Sequence, residues 1–173
     1  FNYVVAEGHI ASDLDYTSSS SLALNGGTVK DASGNIASLT LATPGEANSL
    51  GANKALIVDT VIPTVTFSPG NGLSGVPVSS NITITFNKPV RNTDNSALTN
   101  TNIDGLITLK NNDINGTDIA FDATINDNKT VITIDPASDF TSEQVVYVLM
   151  KSGIEDGVDR LIESQNVTFK SKD

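Results

Sequence analysis

Every second residue of Ile82-Thr83-Ile84-Thr85-Phe86 is apolar, and threonine fills the gaps. On an extended strand that pattern puts all the apolar side chains on one face and all the hydroxyls on the other, whereas a helix would scatter them around its circumference. Ile119-Ala120-Phe121, the stretch from Val131 to Ile134 and Val167-Thr168-Phe169 repeat the pattern. From Val145 to Met150 the chain is apolar on both faces, as expected of a central strand covered from two sides. The one helical signal is a single turn around Pro136 to Gln144, which Ser138 or Thr141 is placed to cap. The chain is expected to be all-β.

Turn residues cut these runs into short strands. Asn25-Gly26-Gly27, Asn71-Gly72 and Asn115-Gly116 tolerate positive φ, and Asp135-Pro136 and Asp156-Gly157 mark corners. From Thr64 onward seven strands are expected, at 64–68, 81–87, 106–110, 118–123, 130–135, 145–151 and 165–171. Seven short antiparallel strands in about 110 residues are the pattern of an immunoglobulin-like β-sandwich. Tyr147 fits either a tyrosine that bonds back to the backbone at the corner or an ordinary core tyrosine. A boundary is expected at Asp59-Thr60-Val61-Ile62-Pro63-Thr64, because Pro63 has a fixed φ and pushes Ile62 towards an extended conformation. Before it, strands are expected at 2–6, 21–30, 36–42 and 54–58, too few for an independent sandwich.

Charge and composition restrict the partners. Twenty acidic against ten basic residues give a net charge of −10, which disfavours nucleic acid and anionic membrane surfaces. No apolar run is long enough to span a bilayer, so membrane insertion is not expected. With no cysteine, disulfides, thiolate metal sites and cysteine nucleophiles are excluded, so stability must come from β packing or bound ions.

The order of several motifs after Thr64 carries a family resemblance. Val65-Thr66-Phe67-Ser68-Pro69-Gly70-Asn71-Gly72 leads into Gly75-Val76-Pro77-Val78, and Ile82 to Phe86 into Asn87-Lys88-Pro89-Val90. Val131 to Pro136, Tyr147-Val148-Leu149 and Ile154-Glu155-Asp156-Gly157 follow. Over roughly 64–171 this resembles a bacterial Ig-like domain found in tandem in large surface proteins and secreted polysaccharide-active enzymes. One departure is Val158-Asp159, where that family usually has a Gly-Asn turn. Residues 1–60 resemble the C-terminal half of another Ig-like repeat, from long bacterial adhesins. That likeness rests on Tyr3-Val4-Val5, Asp13-Leu14-Asp15-Tyr16, Ala23 to Asp31, Gly34-Asn35, Ser49-Leu50-Gly51 and Ile57-Val58-Asp59-Thr60. The resemblance implies either part of a repeat or a small β module at 1–60, and an Ig-like sandwich domain at 64–173. It also implies an extracellular or cell-surface location, with neighbouring Ig-like repeats of the same chain as partners.

The chemistry-bearing residues are few. His9 is the single histidine and sits in a loop beside Gly8, with no nucleophile motif near it. Glu155 and Asp156 lie in a tight turn and project to opposite sides, which suits a hairpin better than a catalytic cleft. No phosphate loop, zinc motif or dinucleotide fingerprint is present, so no enzyme activity is expected. Calcium is the sharper expectation, since Asp13 and Asp15 put two carboxylates on one side of an extended segment and Asp59 precedes the boundary proline. Assigning those three to an ion follows by analogy with calcium-stiffened repeats. Their other reading is turn formation through their own backbone, the reading that also suits Asp31 and Asn35. The expected function is a non-catalytic, adhesin-like spacer. The alternatives are a module that binds a glycan or host protein through loops 91–105 or 111–117, and an accessory domain of a polysaccharide-active enzyme. With no Trp and three Tyr, a stacking platform for sugars is poorly supplied.

Overall fold

The computed structural model describes residues 2–173, and the chain divides into two compact units between Val61 and Ile62. The first unit holds β1 (Ile10–Ala11), a four-residue helix α1 (Leu50–Asn53) and β2 (Val58–Asp59). The second holds β3 (Val65–Ser68), β4 (Ile82–Phe86), β5 (Val90–Asn92), a 3-10 turn at Asp104–Leu106, β6 (Ile107–Asn111), β7 (Phe121–Ile125), β8 (Val131–Pro136), β9 (Val145–Met150), β10 (Ile154–Asp156), β11 (Leu161–Ile162) and β12 (Gln165–Lys170). No helix among the described residues is long and apolar enough to cross a membrane.

The second unit is an all-β sandwich. One sheet has the order β3-β4-β8-β7 and the other β12-β9-β6, with every strand pair antiparallel. This is the four-plus-three arrangement of an immunoglobulin constant-type fold. The period-two pattern does what it should: Ile82, Ile84 and Phe86 are buried, and Ile132 and Ile134 oppose them from β8. Val146, Val148 and Met150 line the inner face of β9, which is central in its sheet, while Val145, Tyr147 and Leu149 are half-buried. Tyr147 lies within that strand, paired across to Thr168 and Lys110. Instead of a helical turn, 136–144 forms an irregular corner. There the Gln144 side chain accepts from the Thr141 amide, and buried Phe140 packs edge-on against Phe169.

Three of the four sheet edges of the sandwich are covered. Along β7, the amides of Ala123 and Ile125 donate to the side chains of Asp104 and Asn100. These come from the stretch between β5 and β6, which also sinks Leu98 and Ile103 fully into the core. Beside β6, Lys110 bridges to Asp118 and the Ile119 amide donates to the Leu109 carbonyl. Residues 71–76 lie against β12. Covered edges of this kind keep a sheet from pairing with another chain.

A third sheet, β11-β10-β5, was not anticipated. Its strands are two or three residues long, too short for a period-two signal to register.

The first unit corrects the expectation of four strands. Segments 2–6, 21–30 and 36–42 form no ladder beyond one bridge between Lys30 and Ile36, and 54–58 contributes only Val58 to β2. All the buried hydrophobic side chains among the described residues belong to the second unit, whereas Val4, Val5, Val29, Ile36 and Ile57 are exposed. Without a facing layer to bury them, β-branched residues have no packing reason to line up as strands. The unit is closed instead by β1 pairing with β2, and by the Leu14 amide bonding to the Leu56 carbonyl.

Candidate functional site

Glu155 and Asp156 are the two charged residues buried among the described residues, and neither is free to react. Both lie on β10, which pairs with β5 so that Glu155 faces Arg91 and Asp156 faces Val90. The Arg91 Nε donates to Glu155 Oε1 at 3.0 Å, and its Nη2 reaches Asp159 Oδ1 at 2.5 Å. On the other side of the strand, Lys88 Nζ donates to Asp156 Oδ2 at 3.1 Å. Asp156 Oδ1 accepts from the amides of Val158 (2.9 Å) and Arg160 (3.1 Å), so the carboxylate closes the hairpin between β10 and β11. Burial by itself pushes the Asp156 carboxyl up. The two amides and the Lys88 ammonium outweigh it and hold the group below the usual carboxylate range.

The two carboxylates do project to opposite faces, as alternation requires. Each is nonetheless buried, because each face supplies its own cation. That burial was not legible in the sequence, although Lys88 and Arg91 at matching positions along β4–β5 were the available signal. At Val158-Asp159, Asp159 takes φ +62°, so it occupies the left-handed position that an asparagine would fill in a Gly-Asn turn.

Asp13 and Asp15 converge on Gly51. A Cβ built there would lie 3.0 Å from Asp15 Oδ2 and 3.1 Å from Asp13 Oδ2. The Asp15 oxygens accept from the amides of Gly45 (3.1 Å) and Tyr16 (2.9 Å). Desolvation raises this carboxyl, but the bonds from Gly45, Tyr16, Ser49 and Gly51 prevail and lower it. Ser49, which is buried, caps α1 by accepting from the Ala52 amide. Asp15 thus ties the α1 segment and the 45-region to the irregular stretch that follows β1. Asp59 is elsewhere engaged: its Oδ1 accepts from the Val61 amide at 2.9 Å.

Calcium takes six to eight oxygens. Among the described residues no three His, Cys, Asp or Glu side chains gather where they could hold a metal. Asp15 and Asp59 serve the turn role that aspartate commonly plays. Asp31 does the same, accepting from the amides of Ser33 and Asn35 around a turn with Gly34 at φ +87°. The loop histidine, His9, accepts from the Ala6 amide and contacts the Tyr3 ring and hydroxyl.

A family model described as bacterial Ig-like domain matches residues 59–171. The chain belongs to the bacterial Ig-like domain family. The matched stretch takes in the whole seven-stranded sandwich together with the short β5-β10-β11 sheet of this Ig-like domain. Among solved structures, the chain is similar to surface layer protein SbsC, domains 1–6, at 17% identity and a TM-score of 0.45, over 65% of this chain and 14% of that one. It is also similar to the LD transpeptidase LdtMt1 in complex with imipenem, at 19% identity and a TM-score of 0.39, over 65% of this chain and 41% of that one. CopC from Methylosinus trichosporium OB3b matches at 11% identity and a TM-score of 0.43, over 64% of this chain and 94% of that one. No curated protein sequence matches the chain.

Proposed function

We propose that the chain is a non-catalytic structural segment of a bacterial cell-surface or secreted protein, an adhesin-like spacer in which Ig-like repeats of the same chain are neighbours. One observation carries this reading. The four buried polar or charged residues among the described residues, Ser49, Glu155, Asp156 and Ser171, are all spent on holding the fold. Buried polar groups engaged in this way serve the fold, as a structural segment requires.

Membership of the bacterial Ig-like family supports an extracellular setting, and residues 1–61 as part of a further Ig-like repeat fit the same picture. The loops that a binding module would use are firmly anchored. Leu98 and Ile103 anchor 91–105 in the core. The 111–117 loop is a tight turn in which the Asn111 amide bonds to the Thr117 carbonyl and the Gly116 amide to Asp113. The reading requires no calcium.

The test is a replacement. In the full-length protein, an unrelated Ig-like domain of equal length is substituted for residues 62–173, and attachment to the protein's natural surface is measured. A spacer is replaceable by length, so attachment should persist. Loss of attachment, or saturable binding of the chain itself in a glycan screen, would overturn the spacer role.

A further inference from the structure

We infer that Asn25 is a site of spontaneous covalent modification, at which the side-chain amide is lost through a cyclic imide closed by the backbone amide of Gly26. The chain holds three Asn-Gly pairs, Asn25-Gly26, Asn71-Gly72 and Asn115-Gly116. In each, the glycine has no Cβ to shield its nitrogen from the asparagine Cγ. The step balances with solvent water as the one co-reactant. The Gly26 nitrogen gives up its proton and bonds to the Asn25 Cγ, the Cγ–Nδ2 bond breaks, and Nδ2 leaves with that proton as ammonia. Water then opens the imide at either carbonyl. The products are aspartate and isoaspartate, in which the main chain runs through the side-chain carbon.

All three asparagines are exposed, so access of water does not separate them. The glycine amide does. The Gly72 amide donates to the Thr168 carbonyl (2.7 Å) while Asn71 Oδ1 accepts from the Thr168 amide (2.9 Å), so both reacting groups are held against β12. The Gly116 amide donates to the Asp113 carbonyl (2.9 Å), and the Asn115 amide to Asp113 Oδ1 (2.7 Å). Around Gly26 the situation is different. Its amide has no hydrogen-bond partner among the described residues, nor has the Asn25 side chain, and a Cβ built on Gly26 would meet nothing within 4 Å. Asn25 (φ +47°) and Gly26 (φ +88°) form a turn closed by one bond, from the Gly27 amide to the Leu24 carbonyl (2.8 Å). The Asn25 Cγ therefore reaches the Gly26 nitrogen through a local opening that disturbs no ladder. Each event adds one negative charge to a chain already at −10, and the isoaspartyl product lengthens the main chain inside the turn. The inference stands independently of the spacer reading.

The test is peptide mapping by mass spectrometry of the whole chain, aged in mildly alkaline buffer where the amide proton is lost most easily. Asn25 should gain the mass of an amide-to-acid exchange about five- to tenfold faster than Asn71 or Asn115, the factor for one further hydrogen bond that must open. Isoaspartate, read with an isoaspartyl methyltransferase, should rise in step. Asn25→Gln, with a side chain one carbon too long for the same ring, should remove most of the acidic species on isoelectric focusing. In guanidinium chloride, where the hydrogen bonds that protect Asn71 and Asn115 are gone, all three pairs should convert at similar rates. An Asn25 that stays intact, equal rates at the three pairs in the folded chain, or the same ranking in the denatured chain would overturn the inference.

Discussion

Replacing Asp156 by alanine isolates the buried ionic hairpin. The change removes the acceptor for the Val158 and Arg160 amides and one partner of the Lys88 ammonium. Hydrogen bonds to a charged group contribute about 1.5–3 kcal/mol each. The two amides lie in a half-buried turn where water can replace part of what is lost, so the lower end applies to them. The Lys88 side chain is 16% exposed, which discounts the ionic part further. The sum comes to about 3–4 kcal/mol, inside the range for removing one partner of a buried pair. Urea denaturation followed by circular dichroism should show the midpoint falling by roughly 1–3 M with an unchanged slope. Asp156→Asn keeps an acceptor for the amides and should cost less, about 1–2 kcal/mol. The acid dependence has a definite sign. Because the folded carboxyl titrates below its ordinary value of 3.8, its contribution is fully present above that pH and is lost as pH falls through the lower, folded value. The wild type should therefore lose more stability than Asp156→Ala on acidification below 3.8. A cost under about 1 kcal/mol, less than a single ordinary hydrogen bond, or identical acid profiles for the two proteins, would refute the assignment.

Other positions give sharp outcomes. Gly116→Ala would place a Cβ 1.5 Å from the Asn111 carbonyl oxygen, so the 111–117 turn must open; about 2–4 kcal/mol should be lost in urea denaturation. Gly105→Ala meets nothing within 4 Å and should be close to neutral in the same assay. Asp104→Ala and Asn100→Ala uncover the β7 edge, and each should cost about 1 kcal/mol and raise self-association in analytical ultracentrifugation. Thermal melts with excess calcium and with a chelator should coincide; a calcium-dependent rise abolished by Asp13→Ala would place an ion at the Asp13–Asp15 pair after all.

The seven strands of the sandwich were legible in the sequence, although the one expected at 118–123 lies later, at Phe121–Ile125. Ile82 to Phe86, Val131 to Ile134 and Val145 to Met150 carry their burial in their spacing, and glycine, asparagine and proline mark where each run stops. Alternation is a local property, so it survives in a one-dimensional reading. The same logic failed in residues 2–60, where Val4, Val5, Val29 and Ile36 look like strand residues yet have no facing layer in the structure. Propensity proposes a strand, and only a partner and a core make one. Tertiary structure alone decided the rest. It paired Lys88 and Arg91 with Asp156 and Glu155 across more than sixty positions, sank Leu98 and Ile103 of a polar loop into the core, and laid residues 71–76 alongside β12 in parallel. These contacts join segments far apart in the chain, and their energy depends on desolvation and direction. Neither has a signature in the order of residues.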